Sequence, residues 1–411
     1  MSRIPFVLLV VSCLLLGSFV TTAQEDPFIF GVVLVGPAND GGWSQAHIEG
    51  AEYVTQQLPN TDYVVFESLN PADSPETTLL DVATEMVDQG AQLIFTTSDS
   101  FEEDTPTVAA QFPDVTFINI SGDNVPSGGA PENMGNFTGR LADARIIAGC
   151  AAALQTQTGN IGMVGPLIND ETRRDQNSAY LGAKYCWEHY RQRPAEELTF
   201  TVTWIGFWFH IPGVTLDPTE VTAQMIDSGV DVIISGIDTL EPRDVVAQRF
   251  AQGEPVWFIG TDSRSVCETS AQPESCLGTQ YHNWGPSYLE TVRAVQEGTW
   301  EQSFEWYGPD WTDINNPDTS DVGFVYGAGL TEENRAMLDE YIGDLAEFTL
   351  NPFTPDNVLP LWCAVNDDIR LQDGTELVPQ GECLPAFRVP AEGPSMWYMP
   401  QLLEGMTGAS E

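Results

Sequence analysis

Eight short apolar runs recur at intervals long enough to hold a helix, and no feature of the chain restricts its fold more. They are FIFGVVLVG (28–36), YVVFE (63–67), QLIFTT (92–97), VTFINIS (115–121), NIGMVG (160–165), FTVTWI (200–205), VDVIISG (230–236) and VWFIGT (256–261). A near-continuous apolar strand is covered on both faces, and parallel neighbours need a crossover between them, so the pattern predicts parallel sheets flanked by helices. One intervening helix can be read in detail: Ser74 as its cap, Pro75 in the first turn, an apolar stripe of Leu79, Leu80, Ala83, Met86 and Val87, and Gly90 as its stop. QLIFTT follows at once, which is β-α-β order. Eight such strands exceed what one small doubly wound domain usually holds, so two consecutive α/β lobes are expected. The Gly-, Pro- and Asn-rich stretch GDNVPSGGAPENMGNFTG (122–139) reads as the crossover between them.

The N-terminus, MSRIPFVLLVVSCLLLGSFVTTAQEDP, has one basic residue, a short apolar core and small residues at Thr21 and Ala23. It reads as an export signal over residues 1–23. Cys13 in VVSC is a loose match to a lipoprotein signal, but the following LLLGSFV stays apolar, so the signal for a lipid anchor is weak. Six cysteines remain after such a cleavage, an even number suited to an oxidising compartment. Cys267 and Cys276 bracket a short loop and Cys363 and Cys383 a hairpin, so both read as local staples, and Cys150 with Cys186 pair by elimination. With no C-x-x-C and four scattered histidines, no metal and no cofactor are expected.

Fifteen Lys+Arg against 60 Asp+Glu give a net charge of −45, which argues against nucleic acid or anionic lipid as a partner. The plainest reading of that charge is a heavily solvated surface suited to a salty or acidic exterior. A small-molecule ligand and a monomer are expected.

In open parallel sheets, ligands bind beyond the carboxyl ends of the strands. The first run leads to Asn39, Asp40, Trp43 and His47, and QLIFTT to Ser98, Asp99 and Phe101. Asp123 follows VTFINIS, and FTVTWI leads to Phe207, Trp208 and Phe209. Asp238 follows VDVIISG, Asp262 follows VWFIGT, and LGTQYH leads to Asn283 and Trp284. Carboxylates or amides thus stand beside large aromatics in both halves. This mixture suits a flat heteroaromatic ligand, with aromatic faces to stack and polar edges to read ring nitrogens, although a sugar could use the same groups. Each residue also has a structural reading: Asp40 and Asp262 as helix caps, Trp43, Phe101 and Trp208 as core aromatics, His47 as a packed or exposed histidine. There is no G-x-S-x-G elbow, no G-x-x-x-x-G-K-[ST] loop and no strand-to-helix G-x-G-x-x-G, so an enzyme is not expected.

Several stretches, taken in order, resemble the BMP family of ABC-transporter substrate-binding proteins, the basic membrane lipoproteins related to purine nucleoside receptors. They include VGPANDGGWSQAHIEG, GNFTGRLADARIIAGCAAALQTQTGNIGMVGP, RDQNSAYLGAK, VTWIGFWF, MIDSGVDVIISGIDTLEP, IGTDS and NWGPSYLETV. The resemblance implies a two-lobed periplasmic-binding-protein type I fold that closes on its ligand, an ABC permease as partner, and a purine base or purine nucleoside as ligand. Carried over by motif, it assigns ligand contacts to Asp40, Trp43, Phe101, Trp208 or Phe209, Asp238, Asp262, Asn283 and Trp284; Asn39 and Ser98 come from the strand-end reading. The expected division is an N-terminal lobe over 28–138 with part of 263–300, a second lobe over 139–262 with part of 300–345, and a C-terminal extension over 346–411 containing a β-hairpin. Nucleoside-binding members place a lysine near the ribose-binding acid, whereas the sole lysine here, Lys184, lies elsewhere, which weakens the case for a nucleoside.

Overall fold

The structure, a computed structural model, describes residues 26–349, 360–364 and 367–411. The export signal read over 1–23, with Cys13 in it, and residues 350–359 of the C-terminal extension lie outside the described residues. The strands are β1 (Phe28–Val33), β2 (Thr61–Phe66), β3 (Ala91–Thr96), β4 (Thr116–Ile120), β5 (Met134–Gly139), β6 (Asn160–Gly165), β7 (Thr199–Trp204) and β8 (Val232–Ser235). They continue with β9 (Trp257–Gly260), β10 (Cys276–His282), β11 (Phe304–Tyr307), β12 (Val322–Tyr326), β13 (Ile369–Arg370), β14 (Glu376–Val378) and β15 (Met406–Thr407). The helices are α1 (Trp43–Gln57), α2 (Leu79–Asp88), α3 (Thr105–Ala109), α4 (Leu141–Gln155), α5 (Asp170–His189), α6 (Pro218–Asp227), α7 (Glu241–Ala251), α8 (Gly285–Glu297) and α9 (Glu332–Thr349).

The first sheet runs β11-β5-β4-β3-β1-β2, every pair parallel. Both faces of β1 are buried: Phe30 and Val32 face the layer holding α1 and α8, while Val33 faces the layer holding α2 and α3. The second sheet runs β12-β10-β9-β8-β6-β7-β15, parallel throughout except for the antiparallel edge strand β12. Each sheet with its helices makes one lobe. The chain passes between the sheets three times: after β5 into α4, after β10 into α8, and from β11 to β12.

Residues 134–139 do not belong to the expected crossover. They form β5, six buried residues whose sequence MGNFTG, with two glycines and an asparagine, disguises a central strand. Nor does α2 begin at Ser74 and Pro75. Thr78 caps it in a reciprocal pair with Asp81, and the residues before it are turn. In the second lobe α4 is buried almost all round, and its small residues let α5 pack closely. A Cβ at Gly149 would lie 1.8 Å from the Ala179 carbonyl oxygen, and one at Gly182 1.9 Å from that of Ile146. Cys150–Cys186 bridges this helix pair, and Cys267–Cys276 and Cys363–Cys383 form the other two disulfides. Beyond Cys363, β13 and β14 make the expected antiparallel hairpin, and β15 adds to the β7 edge.

Candidate ligand-binding site between the lobes

A cavity lies where the carboxyl ends of the two sheets face each other. The first lobe lines it with Val35, Trp43, Ser98, Asp99 and Ser121. The second supplies Leu141, Arg145, Glu171, Asp175, Trp208, Gly236, Asp238, Asp262 and His282.

The elbow after β1 sets one wall. Asp40 accepts hydrogen bonds from the backbone N–H groups of Gly42 (2.8 Å), Ser44 (2.9 Å) and Gln45 (3.1 Å), so its carboxylate ties down the start of α1 and does not line the cavity. This places Trp43, the first helical residue, at the cavity, with its indole N–H donating to the Thr97 carbonyl at the end of β3. Asn39 stays exposed on the elbow. Ser98 donates to Asp99 Oδ1, and Asp99 Oδ2 accepts from Asn169 Nδ2 at 3.0 Å, a direct tie from the first lobe to the second. Phe101 packs into the first-lobe core with Leu79 and Val108 and borders a separate groove beside Phe207.

On the second lobe, Trp208 lines the cavity and its carbonyl accepts from the Asp238 backbone N–H at 3.0 Å. Phe209 instead packs edge-on against Phe207. Asp238 and Asp262 follow the adjacent strands β8 and β9, at 6% and 5% exposure. No hydrogen bond from a described residue reaches the Asp238 carboxyl group, whereas Asp262 Oδ1 accepts from Thr261 Oγ1. Burial and mutual repulsion hold Asp238 well above the ordinary carboxylate range, and burial raises Asp262 against the pull of Arg145. Asp262 also has φ of 65°, the left-handed region that non-glycine residues seldom adopt.

Asn283 and Trp284 hold the crossover from β10 to α8. Asn283 Nδ2 donates to the carbonyls of Pro317 (3.0 Å) and Ser320 (2.7 Å). Trp284, 1% exposed, is stacked between His282 (4.4 Å) and His47 (4.5 Å). His47 is fully buried, hydrogen-bonded through Nδ1 to the Tyr288 hydroxyl at 2.8 Å, and held neutral by burial. Its reading as a packed histidine is the one the structure adopts. The column ends at the cavity with His282, whose pKa burial lowers to about 3.

Of the eleven residues singled out from sequence, Trp43, Ser98, Trp208, Asp238 and Asp262 come together around the cavity; Asn39, Asp40, Phe101, Phe209, Asn283 and Trp284 do not line it. Reading only strand-end loops missed the helical contributors. Arg145 sits in a largely apolar helix, where a buried charge is itself a signal. Its guanidinium donates to the Ser235 carbonyl (2.6 Å) and Thr261 Oγ1 (3.2 Å) and lies 3.7 Å from Asp175. Glu171 and Asp175 stand four apart in the first turns of α5, hence on one face. Burial pushes Glu171 up to about 8, despite Arg174 nearby.

Two largely parallel α/β sheets, connected by three crossovers around one cavity, define the two-lobed type I periplasmic-binding fold. A solved solute-binding protein of an ABC transporter system from Aeropyrum pernix K1 has the same fold. It superposes with a TM-score of 0.61 over 80% of this chain and 94% of that one, at 15% identity. Residues 29–191 match the family model Bmp, described as ABC transporter substrate-binding protein PnrA-like. The chain thus carries the Bmp signature over its first lobe and the start of its second, and the resemblance read from its motifs is borne out. It is 26% identical over 371 residues to the "Purine-binding protein BAB2_0673" of Brucella abortus, covering 87% of this chain and 89% of that protein. It is also 28% identical over 276 residues to the "Putative ABC transporter glucose-binding protein TsgA13" of Haloferax volcanii, covering 67% of this chain and 63% of that protein. Over residues 29–191 the chain is thus similar to ABC-transporter substrate-binding proteins. Among the described residues no helix is long and apolar enough to cross a membrane.

Proposed function

We propose that the protein captures a purine base or purine nucleoside in the inter-lobe cavity and releases it to an ABC permease. The observation that carries this reading is the pairing of aromatic side chains from both lobes, Trp43 and Trp208, with the carboxyl groups of Asp238 and Asp262 in one cavity. Trp43 and Trp208 supply stacking surface for a flat ring. Asp238, Asp262 and Ser98 pair with ring and exocyclic nitrogens, with Asp40, Asn283 and Trp284 fixing the elements from which the contacts project. The Brucella relative's name agrees with this ligand class.

The Haloferax relative favours a second reading, a sugar held by the same carboxylates and tryptophans. A thermal-shift panel of purine bases, purine nucleosides, pyrimidines and hexoses separates the two. Stabilisation by at least one purine at micromolar concentration is expected. Stabilisation by hexoses alone would replace the purine reading with the sugar one.

A further inference from the structure

The cavity has far more acidic than basic groups, and that imbalance says which purines it admits. Five carboxyl groups line it, those of Asp99, Glu171, Asp175, Asp238 and Asp262, against the single guanidinium of Arg145. Arg145 is already partly engaged within the protein. One of its terminal nitrogens is committed to the Ser235 carbonyl and the other to Thr261, and Asp175 faces its Nε. Asp238, by contrast, is more than nine-tenths buried, lines the cavity, and receives no hydrogen bond from a described residue. Its neighbour Asp262 has one carboxylate oxygen engaged, by Thr261.

We infer, building on the purine reading, that the site selects for heterocycles that bring N–H donors and no negative charge, such as amino-substituted and protonated rings, and rejects anionic purines. A buried carboxyl without a partner is costly, and a ligand N–H removes that cost while a ligand carboxylate, phosphate or enolate adds to it. Burial and then repulsion among the carboxyls raise Asp238, and a further negative charge in the same low-dielectric space meets the same opposition. Asp238 is then a specificity-determining residue: as Asn it keeps an acceptor but loses the charge.

The test compares matched probes on the full mature chain at pH 8 by calorimetry: adenine against urate, and benzamidine against benzoate. Adenine is expected to bind at least a hundredfold more tightly than urate, and benzamidine more tightly than benzoate. Asp238→Asn and Glu171→Gln, each checked for an unchanged circular dichroism spectrum, should narrow the adenine-to-urate ratio at least tenfold. Urate within tenfold of adenine, or a ratio unmoved in both folded variants, overturns the inference. If no purine binds, the purine reading fails on its own, and the second probe pair decides the charge rule: benzamidine favoured upholds it, while benzoate equal or favoured, or neither probe bound, overturns it.

Discussion

Gly42, on the elbow of the first lobe, touches the backbone of the second, and adding one methyl group there tests whether the cavity depends on lobe closure. A Cβ at Gly42 would sit 2.1 Å from the Asp238 carbonyl oxygen and 2.8 Å from its carbonyl carbon. Close carbon–oxygen contacts settle at about 3.3 Å, so Gly42→Ala requires the two backbones to separate by about 1.2 Å from their 2.1 Å approach. Neither partner is a flexible side chain. Overpacking of this kind costs about 1–3 kcal/mol. Because the contact joins different lobes, that cost falls on the closed state and leaves each lobe's core untouched. At about 1.4 kcal/mol per decade, ligand affinity should drop by about five- to a hundredfold, while the melting temperature of the ligand-free protein stays within a few degrees. Calorimetric titration of the best purine ligand against wild type and variant measures the first quantity, and thermal unfolding the second. A folded variant whose dissociation constant stays within twofold of wild type would refute the reasoning, since the elbow would then not govern closure.

Three further outcomes follow from the same geometry. Trp43→Ala should weaken ligand binding at least tenfold by removing a cavity wall, and a titration showing unchanged affinity would move the site elsewhere. Burial holds Glu171 up to about 8, Asp321 up to about 7 and Asp143 up to about 6, so the folded chain binds more protons than the unfolded one between about pH 4 and 8. Stability without ligand should therefore fall as pH rises through that window, giving a higher melting temperature at pH 5 than at pH 8 at fixed salt; the reverse order would contradict it. Replacing both Cys150 and Cys186 by Ala, across their 36-residue separation, should cost about 4 kcal/mol by the chain-entropy relation. Urea unfolding checks the value, and a loss under about 1 kcal/mol would show that α4 and α5 do not need the bridge.

The strands that read clearly from sequence are those such as FIFGVVLVG, whose side chains meet apolar layers on both faces of the sheet. β5 did not read as a strand because its neighbours on both sides, β4 and β11, bury it whatever its own propensity, so glycines and Asn136 are tolerated. Asn136 is satisfied there by hydrogen bonds to Asn119 and Asn124. The site divides along similar lines. Trp43, Trp208, Asp238 and Asp262 were legible because they follow strands directly, where the fold places ligands. Asp40 occupies such a position but is used up by three helix N–H groups, a competition that spacing alone does not resolve. Arg145, Glu171 and Asp175 reach the cavity from the early turns of helices, brought there by the packing of α4 on α5, which the local pattern of neither helix records.

The most direct test of the central claim is a crystal structure of the protein with its best-binding purine. The ring should lie against Trp43 or Trp208 in the inter-lobe cavity, with a ring or exocyclic nitrogen within about 3.2 Å of an Asp238 or Asp262 carboxylate oxygen. A ring bound instead in the groove beside Phe101 and Phe207, or in the inter-lobe cavity with no contact to either aspartate, would contradict the account.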